Sequence, residues 1–271
     1  MNNNAKRTAL ITGASSGIGK AFAEHFAQEG WDVVITARRQ ALLDTLANNL
    51  NKKHGTQVTV IAADLSDSES PINIYNEIQS KGIQIDGLVN NAGYGISGYF
   101  VDIDWEKHRD FIQVLVTSVS HFCHLFLPQM IEHRYGRIIN VSSLNGLIPC
   151  SPGQSLYASA KSFVVSLSHT LQAEAANKGV HVCALCPGFT YSEFHDVTGT
   201  RELVNKNIPK RQWLSAEEVA KLGFEAVMNG KPLCVTGKSS KTNYTLTKFL
   251  PRAMIIDIMK KRSMKFRKFE S

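Results

Sequence analysis

The strongest constraint on the fold of this chain is a regular alternation of short apolar runs with longer segments of helical periodicity. The first pair is RTALITG, at residues 7–13, followed by GIGKAFAEHFAQEG, whose apolar residues recur at spacings of three and four. The pattern repeats through WDVVITA, TQVTVIAADL, IDGLVNNAG, RYGRIINVSS and VHVCALCPG, and KPLCVTGK is a candidate seventh strand. Strands that alternate with helices in this way predict βαβ units and a parallel sheet.

The composition of the strands indicates where the sheet lies in the protein. Their Val, Ile and Leu residues form near-continuous runs, which is typical of a parallel sheet covered on both faces. The 271 residues can bury a large core, and they contain no repeat, low-complexity segment or internal linker. The sequence therefore predicts an α/β fold, a Rossmann-type doubly wound parallel sheet of about seven strands with helices on both faces. We expect a single domain over residues 1–240 and a tail over 241–271.

The net positive charge of the chain comes from this tail. Residues 241–271 contain nine Lys and Arg residues and two acidic residues, so they carry the whole net charge of +7. Between the basic residues, one helical stripe consists of Ile255, Ile258, Met259, Phe266 and Phe269. The stripe fits a terminal helix packed on the domain or a partner subunit, or a basic amphipathic helix on an anionic membrane surface. No recognition module accompanies the charge, so we expect no nucleic acid as a partner.

Cysteine and histidine usage argues against secretion and against a metal site. Five cysteines, an odd number, and an N-terminus without a secretion signal predict reduced thiols in a cytoplasmic protein, with peripheral membrane association through the tail as the alternative. The sequence contains no run of 18 or more apolar residues, so we expect no transmembrane helix. Cys183 and Cys186 have CxxC spacing, but they lie in a predicted strand, where positions three apart point to opposite faces. His121 and His124 have no evident third ligand, so we expect no metal.

A glycine-rich loop joins the first predicted strand to the first predicted helix. It reads TGASSGIG at residues 12–19. At such a junction, glycines permit a tight turn, the close approach of a pyrophosphate and the packing of helix on strand, while the helix N-terminus attracts anions. The loop therefore predicts a dinucleotide site formed by Gly13, Ser15, Ser16, Gly17, Ile18 and Gly19.

The end of the second strand indicates which dinucleotide binds. An acidic residue there would hold the ribose 2′-hydroxyl of NAD, whereas arginine binds a 2′-phosphate. The strand ends TARR, at residues 36–39, without an acidic residue. Arg38 and Arg39 therefore predict NADP(H) as the cofactor.

Several motifs in a fixed order complete the pattern. They are TGASSGIG at 12–19, Asp64 after the third strand, NNAG at 90–93, Ser143 within INVSS, YASAK at 157–161 and CPG at 186–188. This ordered set resembles the short-chain dehydrogenase/reductase family over about residues 6–236. The resemblance implies an oxidoreductase with a small-molecule carbonyl or alcohol substrate, assembled as a homodimer or homotetramer.

The YASAK motif places Tyr157 and Lys161 on one face of a predicted helix. The resemblance implies that Tyr157 transfers the proton, that Lys161 lowers the Tyr157 pKa and holds the nicotinamide ribose, and that Ser143 orients the substrate carbonyl. A nearby ammonium and an oxidised nicotinamide both favour a phenolate, which would lower the tyrosine pKa from about 10 toward the operating pH. Ser142 is the adjacent competitor for the serine role. Ser143 lies 14 residues before Tyr157, one more than in the family pattern, which a one-residue insertion in LNGLIPCSPGQS would explain.

The resemblance also assigns cofactor contacts that follow the other strands. These are Asp64 and Leu65 at the adenine, Asn91, Ala92 and Gly93 along the adenosine, and Pro187, Gly188, Thr190 and Ser192 at the nicotinamide amide. Residues 190–212 match the family's substrate lid, with apolar members Phe194, Val197, Leu203, Val204 and Ile208. After the fourth strand, further candidates for an apolar pocket wall are Tyr94, Ile96, Tyr99 and Phe100.

One departure from the family pattern concerns proton resupply. The family usually has an asparagine where this chain has Leu115, and that asparagine holds a water that links the lysine to solvent. Leucine can neither donate nor accept a hydrogen bond, and Thr117 and Ser118 are the nearby polar residues. The sequence therefore predicts an NADPH-dependent carbonyl reductase or alcohol dehydrogenase, with an apolar or lipid-like carbonyl compound among its candidate substrates. The alternative is a catalytically weak NADP(H)-binding scaffold or sensor.

Overall fold

A single parallel sheet forms the centre of the protein. The computed structural model describes residues 6–96, 98–148, 153–194 and 201–263. The strands are β1 Thr8–Thr12, β2 Asp32–Ala37, β3 Val58–Ala62, β4 Gly87–Asn90, β5 Gly136–Val141, β6 Val180–Cys186 and β7 Leu233–Val235. Their spatial order is β3-β2-β1-β4-β5-β6-β7, and every neighbouring pair is parallel. The predicted seven-stranded doubly wound sheet is confirmed.

Helices connect the strands and cover the sheet. They are α1 Gly17–Gln28, α2 Gln40–His54, α3 Ser70–Ser80, α4 Trp105–Ile112, α5 Ser118–Glu132, α6 Ser155–Ala175, α7 Arg201–Asn207, α8 Ala216–Met228, α9 Lys238–Thr247 and α10 Arg252–Ser263. A π-helical segment, Gln113–Thr117, joins α4 to α5. Short 3-10 turns are formed by Phe100–Asp102, Leu144–Gly146, Ala176–Lys178 and Lys210–Gln212.

The apolar runs of the strands supply both faces of the sheet with core residues. Successive strand residues point to opposite faces, so Leu10 and Ile11 of β1 belong to different apolar clusters. One cluster contains residues of α1, α2 and α8, and the other contains residues of α3, α5 and α6. Cys183 and Cys186 likewise fall in different clusters, as the strand geometry predicts, and both are free thiols.

The long helical region before β5 is apolar, and it packs as a core element. By length and composition alone, Trp105–Glu132 could cross a membrane, although the sequence contains no uninterrupted run of 18 apolar residues. Phe111, Phe122 and Phe126 on this region are fully buried in the cluster that includes β4 and β5 residues. That placement is typical of a core helix that covers a sheet.

Two helices, α9 and α10, follow β7 around and beyond the predicted boundary at residue 240. Helix α9 spans that boundary, and its buried Ser240 lies so close to Gly188 that a Cβ added to the glycine would meet Ser240 Oγ at 2.1 Å. In α10, Ile255 is buried and Ile258 is exposed. Phe266 and Phe269 of the predicted stripe lie outside the described residues.

Candidate active site

The glycine loop forms a closely packed turn between β1 and α1. Gly13 has a φ of +68°, and a Cβ there would lie 2.8 Å from Ala92 Cα. A Cβ on Gly19 would lie 2.3 Å from Gly13 O, so only glycine lets α1 approach the loop this closely. Ile18 turns to the core and packs against the cluster around α1. The three glycines thus let the loop pack tightly at the α1 N-terminus, whose first backbone N–H groups have no partner within the helix.

Thr12 and Asn91 tie this loop to the end of β4. The Thr12 hydroxyl accepts hydrogen bonds from the backbone N–H groups of Asn91 and Ala92, both at 3.0 Å. The Asn91 amide donates to Thr12 O at 2.9 Å. The carboxyl ends of β1 and β4 are therefore tied together at the point where the strand order of the sheet reverses. α/β proteins usually bind their ligands at this point. The Thr12 role was not predicted from the sequence, although the residue belongs to the quoted motif.

Arg39 lies directly over the two serines of the loop. Its guanidinium donates to Ser15 Oγ at 3.0 Å and to Ser16 Oγ at 2.9 Å. The same Nη2 atom contacts the Glu193 carboxylate at 2.9 Å, and Ser16 Oγ donates to that carboxylate at 2.7 Å. An acidic side chain from the lid thus lies where the loop and the arginine offer hydrogen-bond donors to an anion.

Arg38 and Asp64 meet on the other side of the same cleft. Arg38 Nη1 and Asp64 Oδ2 are 3.9 Å apart, and both side chains are at least half exposed. The other Asp64 oxygen accepts the Ser66 N–H, which fixes the turn after β3. Leu65 is buried beneath this turn. The structure therefore places Arg39 over the glycine loop and Arg38 beside Asp64.

Ser143, Tyr157 and Lys161 come together at the ends of β5 and α6. The Tyr157 phenol lies near the Ser143 side chain, which lowers its pKa. Ser142 is occupied elsewhere, because its hydroxyl donates to Lys161 O at 2.7 Å. The geometry thus distinguishes the two serines, which the sequence left as competitors. A buried chain of hydrogen bonds from Asn90 through Asn140 to Ser168 joins β4, β5 and α6 behind these residues.

Lys161 is a buried ammonium that makes a short hydrogen bond to a backbone carbonyl. It is 6% exposed, and its Nζ donates to Val141 O at 2.8 Å. Burial lowers the pKa of Lys161 to about 8, and the nearby Cys186 opposes that shift. A buried amine with so low a pKa is typical of a functional site.

The pKa of Tyr157 differs in direction from the expectation. Burial raises it to about 12, and the nearby Ser143 side chain only partly opposes the rise. Lys161 Nζ lies 5.9 Å from the centre of the Tyr157 ring. At that separation, the ammonium does not overcome the cost of burying a phenolate. In the ligand-free protein Tyr157 is therefore held protonated.

Leu115 lies at the position that the sequence identified as unusual. It is fully buried in the π-helical segment, and a Cβ built on Gly93 would lie 3.6 Å from its Cγ. Thr117 is exposed, and the Ser118 hydroxyl donates to Leu65 O at 3.2 Å. Neither residue takes the place of the missing amide.

The segment after β6 closes over the glycine loop. Pro187 O accepts the Leu144 N–H at 2.9 Å, Gly188 packs on Ser240, and Thr190 is buried and bridges to Leu214. Ser192 lies so close to Gly17 that a Cβ on the glycine would be 3.1 Å from Ser192 Cβ. All four predicted nicotinamide residues thus stand at the strand end that faces the loop.

The segment predicted as a substrate lid contacts Tyr157 through Phe194. The Phe194 and Tyr157 ring centres are 5.4 Å apart, and Tyr191 stacks on Trp213 at 4.7 Å. Val204 is buried, whereas Leu203 and Ile208 are partly exposed. Val197 lies outside the described residues.

An apolar cleft adjoins Tyr157 on the side of α4. Its lining includes Ile96, Phe100, Ile103, Phe111 and Leu156, together with His108. Tyr94 packs edge-on against Phe111, and Tyr99 is exposed. The sequence identified the apolar residues after β4 but not His108, Glu193 or Cys186, whose positions depend on contacts between distant segments.

No metal site is found among the described residues. They contain no cluster of three or more His, Cys, Asp or Glu side chains that could hold an ion. In the HxxH pair, His124 is exposed and His121 partly buried. Burial raises the pKa of Cys186 to about 12, so this thiol beside Lys161 stays protonated.

The comparisons with known proteins agree with this geometry. Residues 7–202 match the family model described as short chain dehydrogenase. A very-long-chain 3-oxoacyl-CoA reductase from Anas platyrhynchos is 33% identical over 228 residues, which cover 82% of this chain and 70% of that protein.

Solved structures of dehydrogenases also superpose on this chain. A short-chain dehydrogenase from Sphingobium yanoikuyae in complex with NADPH superposes with a TM-score of 0.79 at 26% identity, covering 98% of both chains. A bulky-bulky ketone specific alcohol dehydrogenase from Comamonas testosteroni has a TM-score of 0.73 at 26% identity, covering 91% of this chain and 96% of that one. From its fold, its ordered motifs and these likenesses, the chain belongs to the short chain dehydrogenase family.

Proposed function

We propose that the protein is an NADPH-dependent carbonyl reductase, which runs in reverse as an alcohol dehydrogenase on ketones or aldehydes. The observation that carries the proposal is that Tyr157 lies near Ser143, with the buried Lys161 one helical turn away and its Nζ 5.9 Å from the Tyr157 ring centre. A reductase and a ketone-specific dehydrogenase among the similar proteins support this reaction class.

The residues around the glycine loop fit a dinucleotide phosphate. A cleft lined by Ser15, Ser16 and Gly17 at the α1 N-terminus offers room for a pyrophosphate. Arg38 and Arg39 would hold the 2′-phosphate, and the solved structure with NADPH that resembles this chain supports that choice. Bound NADPH supplies the hydride for the carbonyl carbon. Asp64, Leu65 and 91–93 would contact its adenosine side, and Pro187, Gly188, Thr190 and Ser192 its nicotinamide side.

The chain's own residues would handle the carbonyl oxygen. Ser143 donates a hydrogen bond to that oxygen and orients it, while Tyr157 delivers the proton. The raised Tyr157 pKa suits the reductive direction, because the phenol remains protonated at neutral pH. Lys161 offers its remaining N–H groups to the nicotinamide ribose, and its charge favours the phenolate that forms when the proton has left.

The test is NADPH oxidation by the purified protein over a panel of ketones, aldehydes and acyl-chain carbonyls. The matched control is Tyr157→Phe, which keeps the ring but removes the proton donor. We expect turnover that falls by at least about 100-fold in the control. Turnover that survives in Tyr157→Phe would contradict the proposed role of this residue.

The cofactor assignment has its own test. Arg38→Ala should weaken NADPH binding by about 10-fold or more and leave NADH binding within about 2-fold, since only NADPH carries the 2′-phosphate. Fluorescence titration with both cofactors measures the two affinities. Equal losses would show that Arg38 does not select the cofactor.

A second candidate function rests on Leu115. If the buried leucine interrupts proton resupply to Lys161, the protein is a catalytically weak NADP(H)-binding scaffold or sensor. In that case NADPH binds without turnover, and Leu115→Asn restores activity. A Leu115→Asn variant that stays as inactive as its parent across the panel would contradict a broken relay.

The remaining parts of the proposal concern assembly and location. We propose a cytoplasmic homodimer or homotetramer, with a domain over 1–240, a lid over 190–212 and a basic tail from 241. Helix α10 exposes Met254, Ile256 and Ile258 beside its basic residues, which leaves an anionic membrane surface as a candidate partner. Flotation with anionic vesicles decides this point: equal flotation of the full chain and a 1–248 truncation would exclude the tail as an anchor.

A further inference from the structure

Glu193 and Phe194, adjacent in the chain, contact the two parts of the candidate site. The Glu193 carboxylate accepts hydrogen bonds from Ser16 Oγ at 2.7 Å and from Arg39 Nη2 at 2.9 Å. The ring centre of Phe194 lies 5.4 Å from that of Tyr157. Consecutive Cα atoms are about 3.8 Å apart, so the backbone that positions one of these side chains also positions the other.

The Glu193 contact engages an edge of Arg39 that could bind a phosphate. Arg39 Nε donates to Ser15 Oγ at 3.3 Å. Nη2 lies 3.0 Å from Ser15 Oγ, 2.9 Å from Ser16 Oγ and 2.9 Å from Glu193 Oε2. Nη2 has two hydrogens for these three oxygens. A phosphate that binds this edge of the guanidinium in a bidentate way therefore has to displace the carboxylate.

The two nicotinamide dinucleotides differ in their ability to displace Glu193. The pyrophosphate that both contain can replace the carboxylate at Ser16, beside the α1 N-terminus. Only NADPH brings a second anion, its 2′-phosphate, to Arg39. The neutral 2′-hydroxyl of NADH competes poorly with a carboxylate for a guanidinium, so we expect bound NADH to leave the Arg39–Glu193 pair in place.

The exposure of the pair permits this exchange, and the segment before it is anchored. The Glu193 and Arg39 side chains are 52% and 47% exposed, so the pair contributes little free energy and a phosphate can replace it. Just before them, the Tyr191 N–H donates to Leu214 O at 3.0 Å, and the Tyr191 ring stacks on Trp213. A change at Glu193 is thus passed on toward Phe194 more easily than toward Tyr191.

We propose that Glu193 is a specificity-determining residue that makes the release of Phe194 from Tyr157 conditional on the 2′-phosphate. NADPH displaces Glu193 from Arg39, and Phe194 leaves Tyr157 accessible to the substrate. NADH binds beside an intact Arg39–Glu193 pair, and Phe194 continues to cover Tyr157. This inference rests on the proposed function, since it takes Tyr157 as the group that the substrate must reach.

One equilibrium then determines two measurable quantities. If the Glu193 contact is present in about two thirds of the molecules, the apparent NADPH affinity is about 3-fold below its intrinsic value, and about one third of the NADH complex is open. Glu193→Gln should therefore tighten NADPH binding by about 3-fold and, with saturating NADH, raise kcat/KM for the best ketone of the panel by the same factor. With saturating NADPH, kcat/KM should change by less than about 1.5-fold, because the phosphate has already displaced the carboxylate.

The matched control is Glu77→Gln, which removes one carboxylate from an exposed ion pair with Lys81 on α3. It should leave both cofactor affinities and both kcat/KM values within about 1.5-fold. A kcat/KM with NADH that does not rise in Glu193→Gln would overturn the inference. An equal gain with both cofactors would do the same, since it would show that the 2′-phosphate does not control the contact.

A second measurement needs no turnover. In a chain labelled with 5-fluorotryptophan, Phe194→Trp adds one fluorine resonance beside Tyr157, which comparison with the labelled wild type identifies. The probes are ADP-ribose and its 2′-phosphate, at saturating concentrations. They share the pyrophosphate and lack the nicotinamide, whose ring would itself shift a resonance near Tyr157.

We expect the 2′-phosphorylated probe to move this resonance to the position that it has in the Phe194→Trp, Glu193→Gln double variant, and plain ADP-ribose to leave it unchanged. That result supports the inference even if no ketone is reduced and the reductase proposal fails. The same shift with both probes, or no shift with either, overturns the inference while a measured NADPH-dependent reduction would leave the reductase in place.

Discussion

The two ends of the candidate cofactor cleft hold their charges in different ways. At the glycine-loop end, Arg38, Arg39, Asp64 and Glu193 are between 47% and 73% exposed, and they pair with one another across segments that are distant in sequence. At the end that contains Tyr157, Lys161 is 6% exposed, and burial lowers its pKa. Exposed ion pairs contribute little free energy and exchange partners easily, whereas a buried charge alters the chemistry of its neighbours. The first arrangement suits reversible binding, and the second suits proton transfer.

The largest expected effect is at the buried end. Lys161→Met should reduce turnover by about 100-fold or more and yet stabilise the ligand-free protein at pH 7 by about 1–2 kcal/mol. The folded pKa of about 8 lies below the unfolded value of 10.5, so folding is penalised while the lysine is charged in both states, below pH 8. The penalty fades as the pH rises toward 10.5.

Urea unfolding at several pH values measures this effect. The stability gain of Lys161→Met should shrink between pH 8 and 10.5 and be absent above that range. Lys178→Met, at an exposed position, is the matched control and should have no effect beyond about 0.5 kcal/mol. A gain independent of pH would mean that packing, and not the buried charge, is responsible.

The next effect is at the exposed end. Arg39→Ala should weaken NADPH binding by about 10- to 100-fold, because a charge-assisted hydrogen bond to phosphate is lost, and NADH binding should change by less than about 3-fold. Titration of both cofactors measures this. Arg109→Ala, which removes an arginine of another exposed ion pair, should leave both affinities unchanged. A similar loss in both variants would indicate a general charge effect.

A smaller effect of opposite sign is expected for the acidic partner. Glu193→Gln should tighten NADPH binding by about 3-fold, because its carboxylate occupies the donors of Arg39 and Ser16 in the ligand-free protein. Asp110→Asn, in the exposed Arg109 pair, is the control and should have no effect. Weaker NADPH binding by Glu193→Gln would show that the carboxylate supports the cofactor rather than competing with it.

The smallest effect tests the exposed ion pair itself. Arg38→Ala should change the free energy of unfolding by less than about 0.5 kcal/mol, since the pair with Asp64 is solvated and 3.9 Å long. Chemical denaturation gives this value on the same protein that is used for cofactor titration. A larger destabilisation would mean that the Arg38–Asp64 ion pair stabilises the fold despite its exposure.

Sequence reasoning recovered the features that depend on local chain geometry. The alternation of apolar runs specified the strands and helices, and the spacing of Gly13, Gly17 and Gly19 specified the turn, because backbone conformation and periodicity are properties of short segments. The four-residue spacing of Tyr157 and Lys161 likewise specified their common helix face.

The environment of the same residues could not be predicted in this way. The Tyr157 pKa depends on how deeply the phenol is buried, and the Glu193 contact joins residues 154 positions apart. His108 looks like an ordinary surface residue of a helix until the stacking of Phe100 over it is known. Such properties arise from the packing of distant segments, which no single stretch of sequence contains.

The hydrogen bonds of the Thr12 hydroxyl determine how much of the chain must be synthesised before the glycine loop takes its final shape. The glycine loop is complete once residue 19 has left the ribosome, but Thr12 finds its partners only when Asn91 and Ala92 arrive. β1 also waits for β4, since the two strands are neighbours in the sheet. A nascent chain that ends before residue 91 therefore carries the nucleotide-binding motif without the edge that gives it shape. Cofactor can begin to stabilise this protein only after the first third of the chain has been made.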